Sequence, residues 1–340
     1  MNSFCNPTTV FVTGATGFIG TRLVDALVRQ GHRVRALCRS SSDLSGLGDP
    51  HVEIVRGDIL DRDSLVRGME GCTQAYHLAA YARNWASDRR VFFRQNVDGT
   101  KNVLEAARAA GIGRIVYTST IVAFGPTPPG IVGTEVMARV TPAYFTDYEE
   151  SKTIAERAAL ACASEGLPVV LVNPTRVYGP GKLTEGNSVS LMIDQYDRGR
   201  MPVLLNRGLN IGNYAFVDDL VKGHVLAMER GKAGERYILG GENASLRRIF
   251  ELVDEVSGRR HFRFNLAPPF ARLYARLERT KAVRFGIYAR ITPGWIETFL
   301  QDWAYSCAKA ERELGYTITP LREGVRITYQ WLLAQRKNRK

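Results

Sequence analysis

The chain has 340 residues, 45% of them apolar and 24% charged, a balance that suits one large globular domain or two intimately joined ones. Five scattered cysteines (Cys5, Cys38, Cys72, Cys162, Cys307) with no C-x-x-C pair or Cys/His cluster exclude a disulfide framework and a zinc or other metal site. The net charge of +12, concentrated in Arg259–Arg290 and in the tail Arg336–Lys340, reads first as a solvated basic surface; it carries no signature of nucleic-acid binding and leaves a peripheral membrane contact open.

No Lys or Arg precedes Arg22, and no apolar run reaches the ~18 residues of a membrane span. A cytoplasmic location is therefore expected. Along the chain, apolar strands are expected at Thr9–Thr13, Val34–Cys38, Val52–Arg56, Ala75–Leu78, Ile115–Ser119 and Val169–Val172. Helical periods fall at Ile19–Leu27, Arg62–Met69, Phe92–Ala110 and Tyr148–Ser164. This βαβ rhythm predicts an α/β fold, a doubly wound parallel Rossmann sheet, over residues 1–174. After Pro174 the rhythm loosens, and residues 175–340 read as a smaller mixed α/β lobe that binds substrate. Tyr214–Asp218 is expected to return a strand to the core sheet. Further helices are predicted at Asp219–Arg230, Ser245–Ser257, Pro268–Arg279 and Ala308–Leu314, and the aromatic residues from Phe262 to Trp303 read mainly as core, with an apolar pocket wall or a lipid-facing surface as the alternative.

The first strand runs into Gly14-Ala15-Thr16-Gly17-Phe18-Ile19-Gly20, where a G-x-x-G-x-x-G spacing opens a helix. Gly14 permits a sharp turn, Gly17 lets backbone approach a pyrophosphate, and Gly20 allows close helix–strand packing, with the helix N-terminus facing the phosphates. At the end of the second strand no acid appears until Asp43, while Arg39 is followed by three serines, which favours NADP(H) over NAD(H). Asp58, with Ile59, suits the adenine, and Leu78-Ala79-Ala80 after His77 would let backbone lie against the cofactor. His77 itself reads as a core residue.

Tyr148 and Lys152 stand at i and i+4 on one helix face. A nearby ammonium favours the phenolate, so the pair suits proton exchange with a carbinol or carbonyl oxygen. One hydroxyl of Thr118-Ser119-Thr120, at the end of the fifth strand, would orient that oxygen.

In this order, TGATGFIG, GDI, HLAA, NVDGT, YTST, YEESK, NPTRVYGPG and FVDD resemble the extended short-chain dehydrogenases/reductases, the NAD-dependent epimerase/dehydratase family, over about two-thirds of the chain. The similarity is greatest to the branch that resembles dihydroflavonol reductases and 3β-hydroxysteroid dehydrogenases. The resemblance implies Thr120 as the hydroxyl partner, Tyr148 as acid/base and Lys152 on the nicotinamide ribose. It further implies Pro174 and Thr175 beside the nicotinamide, Asn96 in support, and a homodimer through the helices at Asn96–Ala110 and Tyr148–Ser164. One departure stands out. The arginine that grips the diphosphate in nucleotide-sugar members falls here at Gly212, which counts against such a substrate.

The expected activity is NADP(H)-dependent reduction of a carbonyl, or oxidation of the alcohol, on a moderately apolar small molecule. The alternatives are an NAD-dependent sugar epimerase or dehydratase and a non-catalytic cofactor-sensing protein.

Overall fold

The computed structural model describes residues 8–338, so Cys5 and the last two basic residues of the tail, Arg339 and Lys340, lie outside the described residues. The first half runs β1 (Thr9–Thr13), α1 (Phe18–Arg29), β2 (Arg33–Cys38), β3 (Val52–Arg56), α2 (Arg62–Met69) and β4 (Gln74–His77). A short α3 (Arg90–Phe93) continues through a π-helical turn at Arg94–Asp98 into α4 (Gly99–Ala109), followed by β5 (Arg114–Thr118), α5 (Asp147–Ser164) and β6 (Val169–Pro174). Beyond it come β7 (Arg176–Tyr178), α6 (Ser188–Asp197), β8 (Val203–Leu205), β9 (Ile211–Phe216), α7 (Val217–Arg230) and β10 (Arg236–Leu239). The chain ends with β11 (Glu242–Ser245), α8 (Leu246–Ser257), β12 (Phe264–Leu266), α9 (Pro268–Phe285), α10 (Pro293–Phe299), α11 (Ala308–Leu314) and α12 (Leu321–Lys337).

Seven parallel strands form the main sheet in the order β10-β6-β5-β4-β1-β2-β3. Its strands are apolar almost throughout because helices cover both faces. One face packs α1 and α7 through Leu23, Val24, Leu27, Leu220 and Val225. The other packs α2, α4 and α5 through Leu65, Met69, Val103, Leu104, Ala155 and Ala159. A separate core, with Ile193, Tyr196, Phe250, Val253 and Val325, joins α6, α8 and α12.

The expected return of Tyr214–Asp218 to the main sheet does not occur. That strand, β9, pairs with β7 and β11 in a three-stranded sheet, and Val217 already begins α7. The seventh strand is β10, whose Arg236–Leu239 pairs in register with Leu171–Pro174 of β6. Both segments are short and buried, so pattern alone could not assign their partners. The stretch after Thr175, expected to be irregular, holds β7, α6 and β8.

Candidate active site

Strand order reverses between β1 and β4, and a crevice of about 270 Å³ opens there at the carboxyl ends of the strands. Its walls are Gly14, Thr16 and Gly17, Arg39 and Ser42 beyond β2, Gly57–Ile59 beyond β3, Leu78–Tyr81 beyond β4, and Gln95. Gly14 has φ +74°, and a Cβ there would lie 2.6 Å from the Ala79 nitrogen. Only glycine lets the turn press against the end of β4 in this way. A Cβ on Gly20 would collide with the Gly14 carbonyl, so α1 starts directly on the turn. No side chain caps α1 at Gly17, which leaves its first N–H groups for an anion. The cradle thus fits a dinucleotide pyrophosphate. Ala15, Phe18, Ile19 and Gly20 do not line the crevice; they hold the turn from behind.

At the mouth, the Arg39 backbone N–H donates to Ser42 Oγ at 3.0 Å, and its carbonyl accepts from Arg56 at 3.0 Å. Its exposed guanidinium has no paired acid among the described residues. Asp58 Oδ1 accepts from the Leu60 N–H at 2.9 Å, which fixes the carboxylate at the rim. Behind the β4 loop, Asn96 is buried on the π-helical turn. It accepts from the Tyr81 N–H at 2.7 Å and donates to Ser151 Oγ at 2.9 Å, tying the crevice wall to α5. Asn96 therefore supports the wall without lining it.

Thr120, Tyr148, Lys152, Pro174 and Thr175 lie outside this crevice, beyond β5 and β6 and on α5. Thr146 caps α5 by accepting from the Glu149 N–H at 3.1 Å, and three acids in the first turn match the helix dipole. Lys152 is 2% exposed; its Nζ donates to Tyr117 Oη and to the Thr118 carbonyl, each at 2.9 Å. Burial pushes this ammonium down to about 7, against the opposing pull of Glu156. Burial likewise pushes the Tyr148 phenol up to about 12, with only the Thr120 hydroxyl beside it drawing it back. Lys152 thus points its ammonium at Tyr117 and the Thr118 carbonyl, and the environment of the Tyr148 phenol is set by burial and by Thr120.

A buried carboxylate, Glu156, braces the strand ends: it accepts from Ser119 Oγ and from Asn173 Nδ2, the latter at 2.6 Å. Asn173 also donates to the Thr120 carbonyl at 3.1 Å. Ser119 is therefore tied to Glu156, whereas Thr120 stands beside Tyr148. The Thr175 hydroxyl is buried with no hydrogen-bond partner among the described residues, so it has an acceptor and a donor to offer at the edge of β6. His77 is held by Thr13 Oγ1 (2.7 Å) and Thr100 Oγ1 (3.0 Å), and burial takes it down to about 3, as suits a neutral core histidine.

Three features escaped the sequence reading. Buried Glu149 pairs with Arg139 and accepts from the Phe145 N–H at 2.8 Å, so these residues order the loop that leads into Tyr148. On the far side, Arg176 of β7 lies over the Phe299 ring at 4.5 Å and the Tyr214 ring at 5.9 Å, with no acid paired to it among the described residues. Its guanidinium crosses Gly212, where a Cβ would come within 2.8 Å. The position that lacks the nucleotide-sugar arginine is thus covered by a cation from the neighbouring strand. Finally, Gly294 of α10 abuts the Phe145 carbonyl and Thr146, placing α10 against the start of α5. None of these contacts has a local signal; the T-x-x-E spacing of Thr146 and Glu149 marks only the start of α5.

Comparison with known proteins places these features in context. The profile of the family described as "NAD dependent epimerase/dehydratase family" matches residues 10–240. A Synechocystis sp. protein provisionally named dihydroflavonol 4-reductase is 35% identical over 94% of this chain and 93% of its own length. "Sterol demethylase protein B" of Methylococcus capsulatus is 33% identical over 95% of this chain and 98% of its own. The crystal structure of gox2253 superposes with a TM-score of 0.81 at 33% identity, covering 96% of this chain and 98% of that one. The chain belongs to the NAD-dependent epimerase/dehydratase family and is an NAD(P)-dependent enzyme of the extended short-chain dehydrogenase/reductase type.

Proposed function

We propose that this member of the NAD-dependent epimerase/dehydratase family uses NADPH to reduce a carbonyl on a moderately apolar small molecule, and oxidises the alcohol in reverse. The observation that carries the reading is the Thr120 hydroxyl beside Tyr148, with Lys152 buried below at the strand ends that adjoin the glycine crevice. When bound, the cofactor supplies a hydride donor or acceptor. Gly14, Thr16 and Gly17 at the start of α1 hold its pyrophosphate, Asp58 and Ile59 its adenine end, and Leu78–Ala80 its length. Lys152 takes the nicotinamide ribose, and Pro174 and Thr175 border the ring. The unpaired Arg39 with Ser42 supports a 2′-phosphate and hence NADP(H).

Tyr148 remains protonated at neutral pH, as a proton donor to a developing alkoxide must be. Thr120 orients the carbonyl oxygen toward it. In the oxidative direction the same hydroxyl has to take the proton back as a phenolate, which burial makes costly. Aromatic Phe299 and the unpaired Arg176 give the substrate side one apolar wall and one cation. An apolar substrate also accords with relatives named for a dihydroflavonol and for sterol demethylation. A homodimer through α4 and α5 belongs to the same reading.

The test is NADPH oxidation against a panel of apolar ketones. Tyr148→Phe is expected to lower turnover by about 10²- to 10⁴-fold while NADPH binding holds. Unchanged turnover in that variant overturns the mechanism. NAD that copurifies tightly, with no net cofactor consumption, would replace reduction by epimerisation.

A further inference from the structure

Residues 259–290 carry nine Lys and Arg against a single acid, Glu278, and so hold +8 of the chain's +12. The same segment exposes Phe262 (76%), Phe270 (67%), Leu273 (55%), Leu277 (53%) and Phe285 (72%). Single exposed apolar residues are ordinary, but a run of large ones on one element marks a contact surface. Helix α9 buries instead its small residues: Ala271 and Ala275 pack against Ile296 of α10, and Ala282 is buried further along. Phe270, Leu273, Tyr274 and Leu277 fall at i, i+3, i+4 and i+7, one outward stripe that Lys281 and Arg284 continue. Arg276 and Arg279 stand on the other flank, with no ion pair to either among the described residues.

From these placements we infer that α9 and its flanking residues lie in the surface of an anionic lipid bilayer, the Phe and Leu stripe entering the acyl boundary and the arginines meeting the head groups. A cationic helix with one large apolar face, lying in the plane of the interface, has this physical design. No helix of the described residues is long and apolar enough to cross a membrane, so the contact is peripheral. A second copy of the chain is a poorer occupant, because it would set the unpaired Arg276 and Arg279 of one copy against those of the other. Nucleic acid would meet the charge but leave the aliphatic residues in water. The contact also has a use. Helix α9 packs on α10, and α10 abuts the residues just before Tyr148, so an apolar substrate could pass from bilayer to site over one helix. The membrane contact itself does not depend on the reduction reading.

The experiment is cosedimentation of the full chain with phosphatidylcholine vesicles, with and without phosphatidylglycerol, across a salt series. The wild type is expected to pellet with the anionic vesicles and to be released as salt rises. The exposed-face variant Phe270→Ser/Leu273→Ser/Leu277→Ser should bind at least about tenfold more weakly. Arg276→Glu/Arg279→Glu should lose the preference for phosphatidylglycerol. Because all five side chains are exposed, both variants should keep the wild-type circular dichroism and Tm. The inference is overturned if the wild type stays in the supernatant, if it binds both vesicles equally at every salt concentration, or if the serine variant binds as well as the wild type. A wild-type dimer that the serine variant dissociates, without vesicle binding, would assign the face to a second copy instead.

Discussion

Helices α1 and α9 are both amphipathic, and they use that pattern in opposite ways. Helix α1 buries its large residues, Phe18, Leu23, Val24 and Leu27, against the main sheet and leaves polar ones outside. Helix α9 buries alanines and leaves Phe270, Leu273 and Leu277 in solvent. The reason lies in the neighbours. Helix α1 faces a broad sheet whose gaps need large side chains, while α9 meets mainly the short α10, with Leu205 and Leu266 beside it, and small residues let these approach closely. The largest apolar side chains of a helix therefore do not by themselves mark its core face. Expecting the aromatic residues after Phe262 to be mainly core fails for this reason: Trp303 is buried and Trp295 half-buried, but Phe262, Phe264, Phe270 and Phe285 are exposed.

The sharpest way to break this comparison is to remove the same side chain from both helices. Leu23→Ala in α1 should cost about 2–5 kcal/mol, the loss of a buried leucine plus the cavity it leaves. Leu277→Ala in α9 should stay within about 0.5 kcal/mol, as expected of an exposed site. Urea unfolding of the two variants measures both. Equal costs would mean that α9 packs its outer stripe against something in the folded monomer.

Wherever local backbone demanded a residue type, the sequence was legible. The glycine turn reads correctly because φ +74° at Gly14 and the contact of Gly20 with the Gly14 carbonyl are set within seven residues. The strands of the first half and the α2 span are likewise local. Partners distant in the chain were not legible: Arg139 with Glu149 on the loop before Tyr148, Glu156 under the strand ends, and Arg176 over Phe299. Strands β9 and β10 are equally apolar, and only packing decides which joins the main sheet. The basic tail shows the same limit: sequence pattern groups Arg336 with the free charge, whereas it pairs with Asp194 and Asp197.

A second, smaller effect sharpens the contrast between side chains that hold the fold and side chains that meet a ligand. Arg39 stands exposed at the crevice that α1 opens, with no acid to pair with. Arg39→Ala should leave Tm unchanged and weaken NADPH binding by about 10- to 100-fold, the worth of a charge-assisted hydrogen bond. NADH binding should hardly move. Calorimetry with both cofactors measures the difference, and an equal loss for the two would remove Arg39 from the 2′-phosphate.

The smallest effect concerns the cation that lies deepest. The arginines of α9 lie at the surface, whereas Lys152 is buried and pushed down to about 7. In the unfolded chain the same amine titrates near its ordinary value of 10.5. Between pH 7 and 8 the unfolded state therefore binds more protons than the fold, and stability of the cofactor-free protein should rise with pH. The slope from this one group is at most about 1.4 kcal/mol per pH unit. Above that window the buried thiols of Cys38, Cys72 and Cys307, which burial pushes up, stay protonated in the fold while they ionise in the unfolded chain, and the trend should bend back. Below it, His77 and His224, held at about 3 and about 4 by burial, favour the unfolded state as they protonate there. Urea denaturation at pH 7 and 8 should thus show a gain for the wild type that Lys152→Met abolishes and that Arg279→Met leaves intact. A gain that survives Lys152→Met would mean that another group carries it and that Lys152 stays charged in the fold across this range.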